Sequence, residues 1–149
     1  MSATGETDLA TLLATLRPAL LDGEFVFVSL PAEAAAAHLA AAFAMVREEE
    51  GVSLVLRAAY ARACGVWRGG ATFRCVTCRV HSSLEAVGMT AAMAAALAAR
   101  GIPANVIAGA LHDHLFVPAG RADDAVAVLS ALGDPRARGG TMGGAPAAG

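Results

Sequence analysis

His81-Ser82-Ser83-Leu84-Glu85-Ala86-Val87-Gly88-Met89-Thr90 lies between two runs of different character. Before it, Cys75 to Val80 is apolar and rich in β-formers; after it, Thr90 to Arg100 is an alanine-rich helical run. A strand therefore feeds a turn holding two hydroxyls, a carboxylate and a glycine, and a helix starts at once. Such a corner aims unpaired backbone N–H groups at whatever sits over the turn, and the helix dipole favours an anion there. A small molecule with a carboxylate is the natural guest. Serines also cap ordinary helices by accepting from those same N–H groups, and the turn alone is better explained that way.

Working outward, the same order of elements occurs twice. In the first half a strand at 24–30 is rich in β-formers, and Pro31 suits the first turn of a helix from 32 to about Ala40. Alanine propensity alone would carry that helix to Glu49. The hairpin reading, with strands at 42–47 and 52–56 about Glu49-Glu50-Gly51, is preferred because the second half shows the same order. A short helix, Ala58 to Cys64, completes the half, and Gly65 to Gly70 links the halves. In the second half a strand at 73–80 is followed by a helix at 88–100 with Gly101 at its C′ position. Strands at 104–110 and 114–117 then form a hairpin about His112-Asp113, and a helix runs from Arg121 to Leu132. The chain divides into an N-terminal helix (1–22), a first half (23–70), a second half (71–133) and a disordered Gly/Pro/Ala tail (134–149). The N-terminal helix is capped by Asp8, has Leu9, Leu12, Leu13, Leu16 and Leu20 on one stripe, and kinks or stops near Arg17 ahead of Pro18. Residues 1–7 are read as frayed.

Strand–helix–hairpin–helix, twice, makes an α+β protein of two ferredoxin-like halves, each with an antiparallel sheet covered by helices on one face. Neither half has a clear last strand. An open edge is a liability, so the halves complete each other's sheets or meet a second chain.

Composition narrows the function. Eleven arginines, no lysine and thirteen acids give a net charge of −2 with no basic block, which excludes a nucleic-acid footprint. The apolar runs are too short to span a membrane, and the N-terminus, with Glu6 and Asp8, does not read as a signal peptide. The protein is expected in the cytoplasm. Cys64, Cys75 and Cys78 are an odd count, against a disulfide framework. Cys75 and Cys78, three apart on a strand, face opposite sides and read as structural thiols.

Val80-His-Ser-Ser-Leu-Glu-Ala-Val-Gly-Met-Thr-Ala-Ala92, Gly101-Ile-Pro-Ala-Asn-Val-Ile-Ala108 and His112-Asp-His-Leu-Phe-Val-Pro118 together resemble a small bacterial group of stand-alone ACT-domain proteins, similar to the regulatory domains of aspartate kinases. Glu48 to Leu56 resembles that group's first hairpin, and the likeness covers about residues 20–132. Ala110-Leu111 departs from it where the group carries a polar or aromatic pair. ACT domains bind amino acids or similar small ligands where two domains meet. Carried onto this chain, the resemblance implies a ligand site at Ser82, Ser83, Glu85, Val87, Gly88 and Met89, with Asn105, Val106 and Ile107 opposite. It also implies a non-catalytic, allosteric regulatory protein; the open sheet edges make a homodimer or homotetramer the expectation, and no cofactor is expected.

The residues themselves fit that use. Gly88 permits close approach of backbone or ligand, and Glu85 can accept from a substrate ammonium. The alternatives are a packing glycine and an acid favouring the helix dipole. His112 and His114 would share a strand face and could ligate a metal with His81 nearby and Asp113 between, giving a small metal-assisted enzyme. Hairpin hydrogen bonding is the plainer account of these histidines. A third reading is a ligand-free assembly module. Nucleophilic and phosphate-loop signatures are absent.

Overall fold

The computed structural model describes residues 8–134 and 136. The expectations for residues 1–7 and for most of the C-terminal tail lie outside the described residues. Helix α1 spans Leu9–Ala14, with the Asp8 carboxylate accepting from the Thr11 N–H at 2.8 Å. Strand β1, Pro18–Leu20, follows. The leucine stripe thus ends earlier than the periodicity suggests. Leu12, Leu13 and Leu16 are buried, whereas Leu20 belongs to a strand because Pro18 cannot continue a helix but can begin an edge strand.

The first half comprises β2 (Phe25–Leu30), α2 (Ala32–Ala36), the β3–β4 hairpin (Ala44–Glu48 and Gly51–Arg57) and α3 (Ala58–Ala63). The helix after Pro31 stops early, passes through a short 3₁₀ turn at Leu39–Ala41, and leaves the chain extended for β3. The hairpin wins over alanine's helix propensity because β4 needs a partner on its outer edge. The second half comprises β5 (Phe73–Cys78), α4 (Met89–Ala98), β6 (Asn105–Ala108), β7 (Asp113–Pro118) and α5 (Ala122–Leu132). The β6–β7 turn comes earlier than read from sequence, at residues 109–112, and is closed by the Gly109 N–H donating to the His112 carbonyl at 2.8 Å.

All pairings are antiparallel, in the order β3-β4-β2-β5-β7-β6, with β1 also on β5. The missing strand of the second half is β1: Pro18 lies opposite Cys78 and Leu20 opposite Val76. The same chain then meets β5 once more, Phe25 opposite Phe73, before running on as β2. Leu20 to Phe25 takes five steps while Val76 to Phe73 takes three, so two residues are looped out between the pairings. Gly23, at φ 77°, makes this turn, where a Cβ would stand 2.7 Å from Arg57 Nη1. The Arg57 guanidinium donates to the Asp22 carbonyl across it.

Because the halves share so little ladder, the sheet curls at this junction and three apolar layers form. In the second half, Val76, Cys78, Leu115 and Val117 face α1, α4 and α5. In the first, Val26, Val28, Leu54 and Leu56 face α2 and α3. The alternate residues of both half-sheets meet each other. Phe25 and Phe116 are fully buried, and Phe116 stands edge-to-face to Phe25, Phe27 and Phe43 at centroid distances of 5.4, 5.6 and 5.2 Å. Helices thus cover one face of each half, as expected, and the opposite faces are joined by rings. Cys75 and Cys78 also fall on opposite faces as their spacing requires, and burial pushes their thiols up to about 11 and about 12.

Candidate functional site

The two halves differ most where strand passes into helix. In the first, Pro31 alone separates β2 from α2. In the second, residues 79–88 intervene between β5 and α4, so only there does a loop of ten residues separate strand from helix.

The Ser82 N–H donates to the Val80 carbonyl at 3.1 Å, and its hydroxyl lies 3.5 Å from Asp113 Oδ2 on β7. Ser83 folds the next turn on itself: its hydroxyl accepts from the Glu85 N–H at 3.1 Å and its carbonyl from the Ala86 N–H at 3.0 Å. Glu85 is exposed, as are Leu84 (74%) and Val87 (83%), which form an apolar rim around it. Gly88 then takes the left-handed conformation, φ 95° and ψ −12°, and α4 begins with no side chain capping it. The serines, whose hydroxyls could have capped the helix, are occupied elsewhere. Among the described residues no side chain caps the N–H groups of the first turn of α4, which suits them to solvent or a ligand. On its other side Gly88 is covered by α1, since a Cβ there would stand 3.2 Å from Leu9 Cδ2.

Met89 is buried at 3% exposure among Met93, Leu97 and the α1 leucines, so at this corner it can offer only its backbone. Asn105, Val106 and Ile107 lie on β6, two strands from β5, and no hydrogen bond among the described residues joins them to the corner. They also divide between faces: Val106 packs towards the helices and Ile107 into the aromatic layer, while the exposed Asn105 has its amide 3.5 Å from the Phe116 carbonyl. Within one chain, then, Ser82, Ser83, Glu85, Val87 and Gly88 come together, and the β6 residues stand apart on a free sheet edge.

Asp113 is the member that sequence reasoning placed in a different group. It is 6% exposed and lies on the helix-facing side of β7, against Ser82. Burial holds its carboxyl above the usual carboxylate value, opposed by the Ser82 hydroxyl and by His114 and His112. His114 points to the other face, where its Nδ1 meets the Thr77 hydroxyl at 2.9 Å and its ring packs edge-on to Phe43 at 5.0 Å. Burial, then the charge of His112, hold the His114 imidazole below its usual value. Strand alternation therefore parts Asp113 from His114, and His112 lies before β7 begins. His81, His112, Asp113 and His114 do not assemble, and among the described residues no three His, Cys, Asp or Glu side chains form a group that could hold a metal ion. His38 meets the Tyr60 hydroxyl at 3.0 Å beside the first-half helices, away from this corner.

An ACT-domain model matches residues 4–73 and a second ACT-domain model matches residues 71–131. A Vibrio cholerae protein of unknown function, described as a possible transport protein, is 42% identical, with 85% of this chain and 96% of that one covered and a TM-score of 0.75. The regulatory subunit of aspartate kinase from Thermus flavus shares the fold at 12% identity, covering 80% of this chain and 99% of that one, TM-score 0.60. Aspartate kinase from Clostridium acetobutylicum shares it at 12% identity over 78% of this chain and 34% of the enzyme, TM-score 0.62. No curated protein matches. The chain belongs to the ACT-domain family, as two ACT domains in tandem.

Proposed function

We propose that this protein is a non-catalytic sensor that binds an amino acid, or a similar small carboxylate, at the β5–α4 corner, beneath an ACT domain of a second copy. ACT domains are typically regulatory rather than catalytic, and the family supports a regulatory, small-molecule-binding role. The observation that carries the finer reading is the uncapped start of α4 behind Gly88. Its N–H groups suit a carboxylate, and the exposed Glu85 beside them suits an ammonium. The apolar rim of Leu84 and Val87 would be buried by the partner domain, and the free β6 edge with Asn105 offers backbone groups for the other side of the ligand. Assembly as a homodimer or homotetramer in the cytoplasm is part of this reading. Among the described residues no helix is long and apolar enough to cross a membrane.

Binding here would order residues 79–88 and, through Ser82 and Asp113, fix the loop to β7. A ligand that favours the ordered, paired state shifts assembly by its differential affinity for that state. A thermal-shift screen of the twenty amino acids tests this. A ligand at a hundred times its Kd adds about 2.7 kcal/mol of stability. One or two related amino acids should stabilise the protein by several degrees, and Glu85→Ala should lose most of that response while remaining folded. A flat screen would end the sensor reading; an unchanged response in the variant would remove Glu85 from the site.

A further inference from the structure

Where the 79–88 loop leaves β5, a cavity of about 290 Å³ opens beside α1 and is lined by Thr11, Thr15, Arg17, Arg79, Val80 and His81. The β1–β5 register explains its charge. Pro18 pairs with Cys78, so Arg17 stands opposite Arg79 one step further on, and the Arg79 N–H donates to the Arg17 carbonyl at 3.1 Å. Residues directly opposite in an antiparallel ladder share a face with Cβ atoms about 4.5–5.5 Å apart, and like charges there are destabilising. The acidic chain keeps two guanidiniums in that arrangement and adds an imidazole next to them. Among the described residues no carboxylate lines the cavity and the one ion pair is Arg121–Asp124. Asp8, at the head of α1, is turned to the Thr11 N–H that it caps. Arg57 and Arg74 donate to the Asp22 and Leu21 carbonyls, Arg62 lies over the Trp67 ring, and Arg121 pairs with Asp124. Arg17 and Arg79 have no such partner among the described residues.

We infer that Arg17, Arg79 and His81 form an oxyanion site for phosphate or a phosphoryl group. Two planar forks of donors plus a ring nitrogen exceed what the two oxygens of one carboxylate can accept, whereas a phosphate offers more oxygens and up to two negative charges. Occupancy removes the repulsion between the facing guanidiniums, so binding stabilises the β1–β5 ladder and with it the seat of α1. The site shares the 79–88 loop with the α4 corner but does not depend on amino-acid binding there, and its test leaves Ser82, Ser83, Glu85 and Gly88 unchanged.

Inorganic phosphate and adenosine monophosphate are titrated calorimetrically into the full chain, against sodium chloride at matched ionic strength. Arg17→Gln, Arg79→Gln and, as a control arginine outside this cavity, Arg100→Gln are run alongside. Saturable binding to one site per chain is expected for at least one of the two, weakened about tenfold or more by Arg17→Gln and by Arg79→Gln and unchanged in Arg100→Gln. Tighter binding of the nucleotide assigns the site to a phosphoryl group on a larger molecule, and equal binding assigns it to the free anion. No binding beyond the chloride control, or equal affinity in all three variants, overturns the proposal. Circular dichroism establishes that each variant is folded, which the exposure of both arginines leads one to expect.

Discussion

Replacing Gly88 by alanine tests the geometry of the α4 corner directly. Gly88 holds φ at 95°, where a Cβ meets its own backbone at a cost of about 1–2 kcal/mol. The added Cβ would also sit 3.2 Å from Leu9 Cδ2. That atom is the tip of a flexible side chain, so the overlap is relieved by a shift of Leu9. If Leu9 gives up on the order of 20 Å² of contact with the core, the loss is about 0.5 kcal/mol. The two contributions add to about 1.5–2.5 kcal/mol. For a chain of 149 residues this lowers Tm by about 3–10 °C. Urea unfolding followed at 222 nm would give the free energy, and Leu9→Ala would separate the parts. In that background the steric share vanishes and Gly88→Ala should still cost about 1–2 kcal/mol, with a coupling of about 0.5 kcal/mol. A Gly88→Ala protein within 0.5 kcal/mol of wild type would refute the left-handed corner, and complete rescue by Leu9→Ala would show the cost to be contact alone.

Other variants probe the layers around that corner. Phe116→Ala removes the ring shared by both half-sheets and should cost about 3–5 kcal/mol by the same denaturation assay; a loss below 1 kcal/mol would mean that the halves are not joined there. In native protein at pH 8 a thiol reagent should modify Cys64 promptly while Cys75 and Cys78, buried with thiols raised to about 11 and about 12, stay protected until unfolding. Three thiols reacting at one rate would contradict that burial. The pH profile has two opposed limbs. His114 is depressed below 6.5, so the unfolded chain takes its proton first, and the stability present above pH 6.5 falls as pH drops through the folded-state value. His114→Asn should flatten that limb. Asp113 is raised above 3.8, so its contribution is full below pH 3.8 and is lost as pH rises through the folded value. Asp113→Asn should therefore be more stable than wild type at pH 7, with the difference closing towards pH 4. A constant difference across that range would assign the effect to the Ser82 contact instead.

Much of this architecture is legible in the residues because the local signals agree. Pro31, Gly51, Gly101 and the paired hairpins mark element ends, and strand alternation by itself sorts Cys75 from Cys78. The errors arise where a distant partner decides. Nothing near Pro18 announces that residues 18–20 will pair with 76–78, so leucine periodicity extends α1 too far. Asp113 looks like a metal ligand between two histidines, yet its neighbour is Ser82, thirty-one residues earlier, because β7 lies against β5. Likewise, sequence shows serines next to a helix start but not that their hydroxyls are spent on Asp113 and on the Glu85 N–H. That diversion leaves the start of α4 uncapped.

The place of β1 bears on how the polypeptide acquires its shape. Residues 18–20 leave the ribosome well before the segment they must lie against, and the intervening stretch builds three further strands and two helices. The earliest-made strand therefore waits for β5 before it can be seated, a long loop closure that slows folding. Severing the chain in the Gly65–Gly70 linker would strand that strip on the wrong fragment and bare one side of β5 on the other. Neither piece is an independent module, and fusions or truncations that treat the second half as one should yield insoluble material.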